Sequence, residues 1–208
     1  MLTVGLIGAG AIAQAHLQAF VESDFVGAVK VADPSAAARE AAAREFGIIK
    51  AAYEDYRALL DDPEVAVIDI CTPHYLHCQQ AVEALEAGKH VITEKPMALS
   101  VAECDRMIAA AERAGKRLFV SLCQRMFPAH QRAAELIAEG VIGEPFMAVI
   151  NVYGDEFARM NDPLSWKGDW QKAGGGALFD TGHHAIYMLQ HFFGPASAVT
   201  AVVRRLRV

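Results

Sequence analysis

Positive charge is scarce at the start of this chain: no Lys or Arg precedes Lys30. The apolar run Met1–Ala13 therefore lacks the basic flank of a secretory signal, and its glycines suit a tight turn better than a signal helix. No stretch of ~18 apolar residues occurs, so no membrane-spanning helix is expected. Basic residues cluster only at Arg204, Arg205 and Arg207, and the net charge is −6. That balance points away from nucleic acid and from anionic membranes. The four cysteines (Cys71, Cys78, Cys104, Cys123) form no CxxC pair and no zinc-ligand spacing, so reduced thiols and no metal are expected. There are no internal repeats. A cytoplasmic protein is the expectation.

With 53% hydrophobic and 21% charged residues, the 208-residue chain has ample material for a core. Its first part alternates short β-rich runs with helical stretches. The strands are expected at Leu2–Ile7, Val26–Ala32, Ile48–Tyr53, Val65–Cys71, His90–Thr93 and Leu118–Leu122. Between them, helices are expected over Ala11–Glu22, from the Ser35 cap to Phe46 with Gly47 closing it, and over Glu54–Leu60. Two more are expected at Tyr75–Ala87 and Ser100–Ala114, closed by Gly88 and Gly115. This spacing implies βαβ units: an α/β fold whose parallel sheet is covered by helices on both faces. The character changes after Arg125. A helix over Ala129–Glu139, an alternating strand over Glu144–Tyr153, a long irregular loop at 154–175, a helix over Ala177–Phe193 and a strand over Ala198–Arg207 are expected.

Four motifs carry chemistry. Gly8-Ala9-Gly10-Ala11-Ile12-Ala13 has the form GxGxxA, ends the first strand and opens the first helix. Gly8 permits the turn, and Gly10 lets the backbone approach a pyrophosphate at the helix N-terminus, beside Ala11 and Ile12. Asp33, ending the second strand, can accept hydrogen bonds from both ribose hydroxyls and would repel a 2′-phosphate. NAD is therefore expected, with NADP as the alternative. Thr72-Pro73-His74-Tyr75-Leu76-His77 follows the fourth strand, at a carboxyl end where ligands of such sheets bind; either His could instead be an ordinary helix residue. Glu94-Lys95-Pro96 follows the fifth strand, where a Lys beside a nicotinamide can orient a substrate hydroxyl. Finally, Asp180 and His184 are spaced to share one helix face, and an imidazole so held suits acid–base work. A zinc site from Asp180, His184 and His191 is set aside, because no further ligand is evident.

Taken together, GxGxxA followed by His16, Thr72-Pro73 with His77, Glu94-Lys95-Pro96, Gly143-Glu144-Pro145 and Gly174-Gly175-Gly176-Ala177-Leu178-x-Asp180-x-Gly182-x-His184 resemble the glucose–fructose oxidoreductase and inositol dehydrogenase family (Gfo/Idh/MocA). The resemblance spans Val4 to Gly194. It implies a Rossmann dinucleotide-binding domain (1–122) followed by an α/β domain with a large, mostly antiparallel sheet (from 123). It also implies a nicotinamide-dependent oxidoreductase acting on a hydroxyl or keto group of a sugar, inositol or related polyol. Carried over by position, Lys95, Asp180 and His184 match the catalytic set, and Thr72, Pro73, His77 and Glu94 match positions near the nicotinamide half of the cofactor. In such enzymes Lys95-Pro96 is often a cis peptide. Gln124-Arg125 departs from the family's Asn-containing segment. Relatives are much longer, so residues 123–208 are expected to be a truncated second domain, and the full-length protein is expected to be a homo-oligomer. Two other readings share the motifs: a redox-neutral glycosidase that uses NAD transiently, and a non-catalytic nicotinamide-binding regulator.

Overall fold

The computed structural model describes residues 1–155, 157–162 and 165–202, which fall into two compact units. The first comprises Met1–Ser121 and Asp155–Asp180; the second takes Leu122–Gly154 and the described part of Thr181–Val208. In chain order the first unit contains β1 (Leu2–Ile7), α1 (Ala11–Glu22), β2 (Val26–Ala32), α2 (Ala36–Glu45), β3 (Ile49–Tyr53) and α3 (Arg57–Leu60). These are followed by β4 (Val65–Ile70), α4 (His74–Glu86), β5 (His90–Thr93), α5 (Val101–Ala114) and β6 (Leu118–Val120).

The six strands are all parallel and ordered β3-β2-β1-β4-β5-β6, the doubly wound Rossmann arrangement. Alternation along the strands separates two cores. On one face, Val4 and Leu6 of β1 and Val29 and Val31 of β2 meet Ala13 and Leu17 of α1 and Ala42 of α2. On the other, Ile7, Ile68 and Ile70 meet Cys78, Ala81 and Leu85 of α4 and Met107 of α5. Helices on both faces leave β1 and β4 apolar along most of their length, as a parallel sheet requires. Asp69, next to last in β4, is the exception there.

Local signals act at the element ends. The Ser35 hydroxyl accepts from the Ala38 N–H and starts α2. Ser100 does the same for α5 through Glu103 N–H, while the Glu103 carboxylate accepts from Leu99 N–H. Gly115 closes α5 in the left-handed conformation. Gly47 does not do so for α2, which ends on Phe46 in an extended conformation, because Phe46 packs into the core instead.

The segment Asp155–Asp180 overlaps the irregular loop expected over 154–175 and is not irregular throughout. It contains α7 (Phe157–Asn161), a 3-10 turn at Trp166–Gly168 and α8 (Trp170–Ala173). It ends in a π-wound turn beginning at Leu178. The single long helix expected from Ala177 is thus two windings: the π-turn Leu178–Gly182, then α9 (His183–Phe193).

The second unit holds a 3-10 turn at Cys123–Met126, α6 (Pro128–Ala138) and α9. His130 Nδ1 lies 2.7 Å from the Gln124 carbonyl and its ring meets Phe192 edge-on. The expected strand over 144–153 is not formed: these residues make no ladder, and Phe146 and Tyr153 are 95% and 89% exposed. Alternating apolar residues favour a strand only when a neighbouring strand takes up their N–H and C=O groups. Among the described residues the sheet is all-parallel, so the expected antiparallel sheet is not observed. Of the strand expected over 198–207, residues 198–202 are irregular; 203–208, with Arg204, Arg205 and Arg207, lie outside the described residues.

The turn after β1 is the tightest constraint. Gly8 has φ +94°, and a Cβ there would stand 2.7 Å from the Cys71 carbonyl oxygen, which is backbone and cannot yield. Gly8→Ala is expected to cost roughly 1–3 kcal/mol of unfolding free energy, measured by urea denaturation.

Candidate functional site

The carboxyl ends of β1, β2, β4 and β5 open on one cleft of about 810 Å³ within the first unit. Its walls include Gly8, Gly10, Ala11 and Ile12 after β1, Asp33 and Pro34 after β2, and Thr72 and Pro73 after β4. Glu94 and Lys95 line it after β5, and the 155–180 segment adds Trp166, Lys167 and Asp180. The volume falls in the usual range for a small-molecule or cofactor site.

The dinucleotide end fits its expected guest. Nothing lies within 4 Å of where a Gly10 Cβ would be, so the bare backbone faces open space at the N-terminus of α1. There the unpaired helix N–H groups favour an anion. Asp33 Oδ2 accepts from Ala9 N–H and Oδ1 from Ser35 N–H, both at 2.8 Å. Its carboxylate thereby ties the glycine turn to the end of β2 and keeps further lone pairs for hydroxyls. Arg39 donates to the Asp33 carbonyl.

At the other end, Asp180 gathers the charges. Its Oδ2 lies 2.5 Å from Lys167 Nζ, and its Oδ1 is 3.5 Å from both Lys95 Nζ and His74 Nε2. Lys95 Nζ also donates to the Asp180 carbonyl at 3.0 Å. The His74 contact is the largest influence on the Asp180 carboxyl. Burial opposes it, but with the two lysines it holds the group well below the ordinary carboxylate range. His74 is itself placed by the Ala173 carbonyl, 3.0 Å from Nδ1, and by the edge-on Trp166 ring. The Lys95–Pro96 peptide is cis.

Not every expected residue reaches the cleft wall. His77 is fully buried behind it, with its ring between the Thr72 and Pro96 carbonyls at 2.8 and 2.9 Å. It joins the turn after β4 to the turn after β5, and burial pushes its pKa down. The shared face of Asp180 and His184 assumed α-helical winding. Asp180 sits in the π-turn, and the His74 imidazole lies against it. His184 belongs to the second unit, where Nδ1 lies 2.8 Å from the Tyr187 hydroxyl.

Lys167 and Asp69 belong to none of the motifs, and His16 entered only as part of the family resemblance. Lys167 sits in a segment whose composition only suggested a loop. Asp69 and His16 form a buried cluster with Glu94 beneath the cleft. His16 Nδ1 is 2.7 Å from Asp69 Oδ2, and Nε2 is 3.2 Å from Glu94 Oε1. The readable signal was Asp69 itself, because a carboxylate inside an otherwise apolar strand demands a partner. Burial disfavours charge on His16, yet the hydrogen bonds of Asp69, Cys71 and Glu94 outweigh it and raise its pKa to about 12. His16, Asp69 and Cys71 also offer three ligand atoms within 4.8 Å of one another. The 2.7 Å contact is the length of a charge-assisted hydrogen bond, so a proton joins His16 to Asp69.

The Asp180 carboxyl is held below its ordinary range, so its charge contributes to stability. Its carboxylate stabilises the fold above the unfolded value of about 3.9, and that contribution fades as pH falls below it. Between about pH 5 and about pH 3 the melting temperature of the protein is expected to fall more steeply than that of Asp180→Asn. At neutral pH the variant is expected to be less stable by roughly 1–3 kcal/mol. Parallel melting curves for the two proteins over this range would refute the assignment.

A family model described as "Oxidoreductase family, NAD-binding Rossmann fold" matches residues 2–122, and the "GFO/IDH/MocA C-terminal domain" matches 130–208. Levoglucosan dehydrogenase of Pseudarthrobacter phenanthrenivorans is 37% identical over 212 residues, covering 97% of this chain and 54% of that protein. Inositol 2-dehydrogenase of Salmonella typhimurium is 34% identical over 148 residues, covering 70% and 44%. Among solved structures, levoglucosan dehydrogenase in complex with NADH and levoglucosan superimposes with a TM-score of 0.81 at 34% identity, covering 93% of this chain and 54% of that one. The WlbA dehydrogenase from Bordetella pertussis, in complex with NADH and UDP-GlcNAcA, gives 0.83 at 30% identity, covering 93% and 56%. The chain spans about half the length of the curated relatives it matches. With its parallel six-stranded sheet, glycine turn and Glu-Lys-Pro turn at one cleft, the chain belongs to the Gfo/Idh/MocA oxidoreductase family.

Proposed function

We propose that this chain serves an NAD-dependent dehydrogenase that moves a hydride between NAD and a hydroxyl or keto carbon of a sugar, inositol or related polyol. The observation that carries this reading is Lys95: its ammonium sits in the cleft wall after β5, held by the carboxylate and carbonyl of Asp180. When bound, the nicotinamide supplies or takes up the hydride. The glycine turn and the first turn of α1 hold the pyrophosphate, and Asp33 holds the adenosine ribose. Thr72, Pro73 and Glu94 border the nicotinamide half, with His77 bracing the turn behind them. NADP is the weaker alternative, since Asp33 would face its 2′-phosphate.

Lys95 orients the substrate oxygen and stabilises the negative charge that develops there. Asp180 keeps that ammonium in place, and the motif match assigns His184 the role of taking up the hydroxyl proton. The levoglucosan and inositol dehydrogenases among the relatives support a sugar-like polyol as substrate. The functional division falls at 122/123, the family resemblance implies a mostly antiparallel sheet for the second domain of the whole protein, and that protein works in the cytoplasm as a homo-oligomer.

A panel of sugars and inositols assayed for NADH formation tests the reading. Cleavage of a glycoside without net NADH would replace it with the redox-neutral alternative. Lys95→Met is expected to lower kcat at least about 10²-fold while leaving NADH affinity, read by fluorescence, within a few-fold. His184→Ala is expected to lose turnover likewise. Asp33→Ser is expected to move the NAD-to-NADP preference toward NADP by about tenfold or more, a change worth roughly 1.4 kcal/mol.

A further inference from the structure

The cluster under the cleft places an imidazole between two carboxylates. Both ring nitrogens of His16 face carboxylate oxygens, Asp69 Oδ2 at 2.7 Å and Glu94 Oε1 at 3.2 Å. Burial raises the Asp69 carboxyl pKa and the His16 contact lowers it; with both carboxylates ionised they only accept, both ring nitrogens donate, and a ring with two N–H groups is an imidazolium. Asp69 is fully buried, and Glu94 is buried except where it borders the cleft. The other oxygen of Glu94, Oε2, accepts from the Lys95 backbone N–H at 3.1 Å. One charged ring therefore links α1, which begins at the glycine turn, to β4 and to the turn that presents Lys95.

We propose that His16 is a positioning residue: a constitutive imidazolium that keeps Glu94 ionised and thereby holds the Glu94–Lys95 turn at the edge of the cleft. The role rests on the dehydrogenase reading only for its consequence at Lys95; the charge state of His16 does not depend on it. The groups facing the ring are Asp69 and Cys71 from β4 and its end and Glu94 from the end of β5, with the Ser121 hydroxyl reaching Glu94 from beyond β6. Burial opposes the Glu94 charge, and the His16 contact is the largest of the influences that keep its carboxyl below the ordinary range. Without that cation, burial and the Asp69 carboxylate would both favour protonated Glu94.

The test begins on the protein without cofactor. Ring ¹⁵N shifts of His16, assigned by their loss in His16→Gln, are expected to be imidazolium-like and unchanged between about pH 6 and about pH 9, across the ordinary histidine pKa. Titration near that ordinary value, or the shifts of a neutral tautomer, would overturn the proposal whether or not any variant folds. The Glu94 carboxyl, followed by ¹³C and assigned through Glu94→Gln, is expected to titrate at least about one pH unit higher in His16→Gln. In Asp69→Asn, which disturbs the same cluster but leaves the His16–Glu94 contact, it is expected to stay low. Equal shifts in both variants would reduce His16 to a packing residue and refute the role. Stoichiometric zinc in the purified protein, lost in His16→Gln, would also refute it in favour of a metal site.

In turnover, His16→Gln is expected to lower kcat about tenfold or more and to raise the pH of its acid limb, with KM for NAD within a few-fold. Glu94→Gln in that background is expected to remove the displaced limb. An unchanged kcat and pH profile in a folded variant would overturn the positioning role. A protein that fails to bind NADH but shows the charged His16 and the Glu94 shift would refute the dehydrogenase reading and leave the His16–Glu94 coupling standing.

Discussion

The close approach of the glycine turn to β4 governs everything built above the sheet. At Gly8 the backbone passes so near the Cys71 carbonyl that only hydrogen fits in place of a side chain. The ladder bond from Cys71 N–H to the Ile7 carbonyl lies immediately beside that contact. Because β1 pairs with β2 on one side and β4 on the other, and the helices that follow lie on opposite faces, the chain parts at this point. The gap it leaves is the cleft. Parallel connection of strands thus creates the opening, and the absence of a side chain at position 8 keeps its floor intact.

Charge within this cleft is organised by carboxylates that lie deeper than their cations. Asp180 is nearly inaccessible, while Lys95 and Lys167 reach it along partly exposed stems. Asp69 has the same relation to His16. A buried carboxylate is tolerated only when donors meet it, and here the donors come from different elements, so satisfying the charge also fixes those elements against one another. Lys95 is held by Asp180 at its ammonium and by Glu94 at its backbone amide. Side chain and main chain are thereby anchored independently, which suits a group whose direction matters more than its charge alone.

The second unit shows the reverse situation. Residues 144–153 alternate in polarity as a half-buried strand would, yet they run without ladder partners and expose their apolar side chains. The pattern is a statement about a surface to be covered, and pairing is a statement about neighbours. The π-wound turn at Leu178–Gly182 makes a related point: spacing in sequence assigns a face only once the winding is known.

Sequence alone determined the parallel α/β architecture, the glycine turn with Asp33, and the presence of Glu94-Lys95 after a strand. Each of these follows from short-range periodicity, caps and backbone freedom, which are local properties of the chain. The motif order was also enough to identify the family. Tertiary structure decided that His74 meets Asp180, that Lys167 and Trp166 join the cleft, that His77 braces it from behind, and that His16 is shared by two carboxylates. Those contacts join residues far apart in the chain, 53 and 78 positions in the case of His16. Their partners are set by the packing of helices on a sheet, and no periodicity records that. Asp69 is the intermediate case: a carboxylate inside an apolar strand needs a partner, and only the fold shows that the partner is His16.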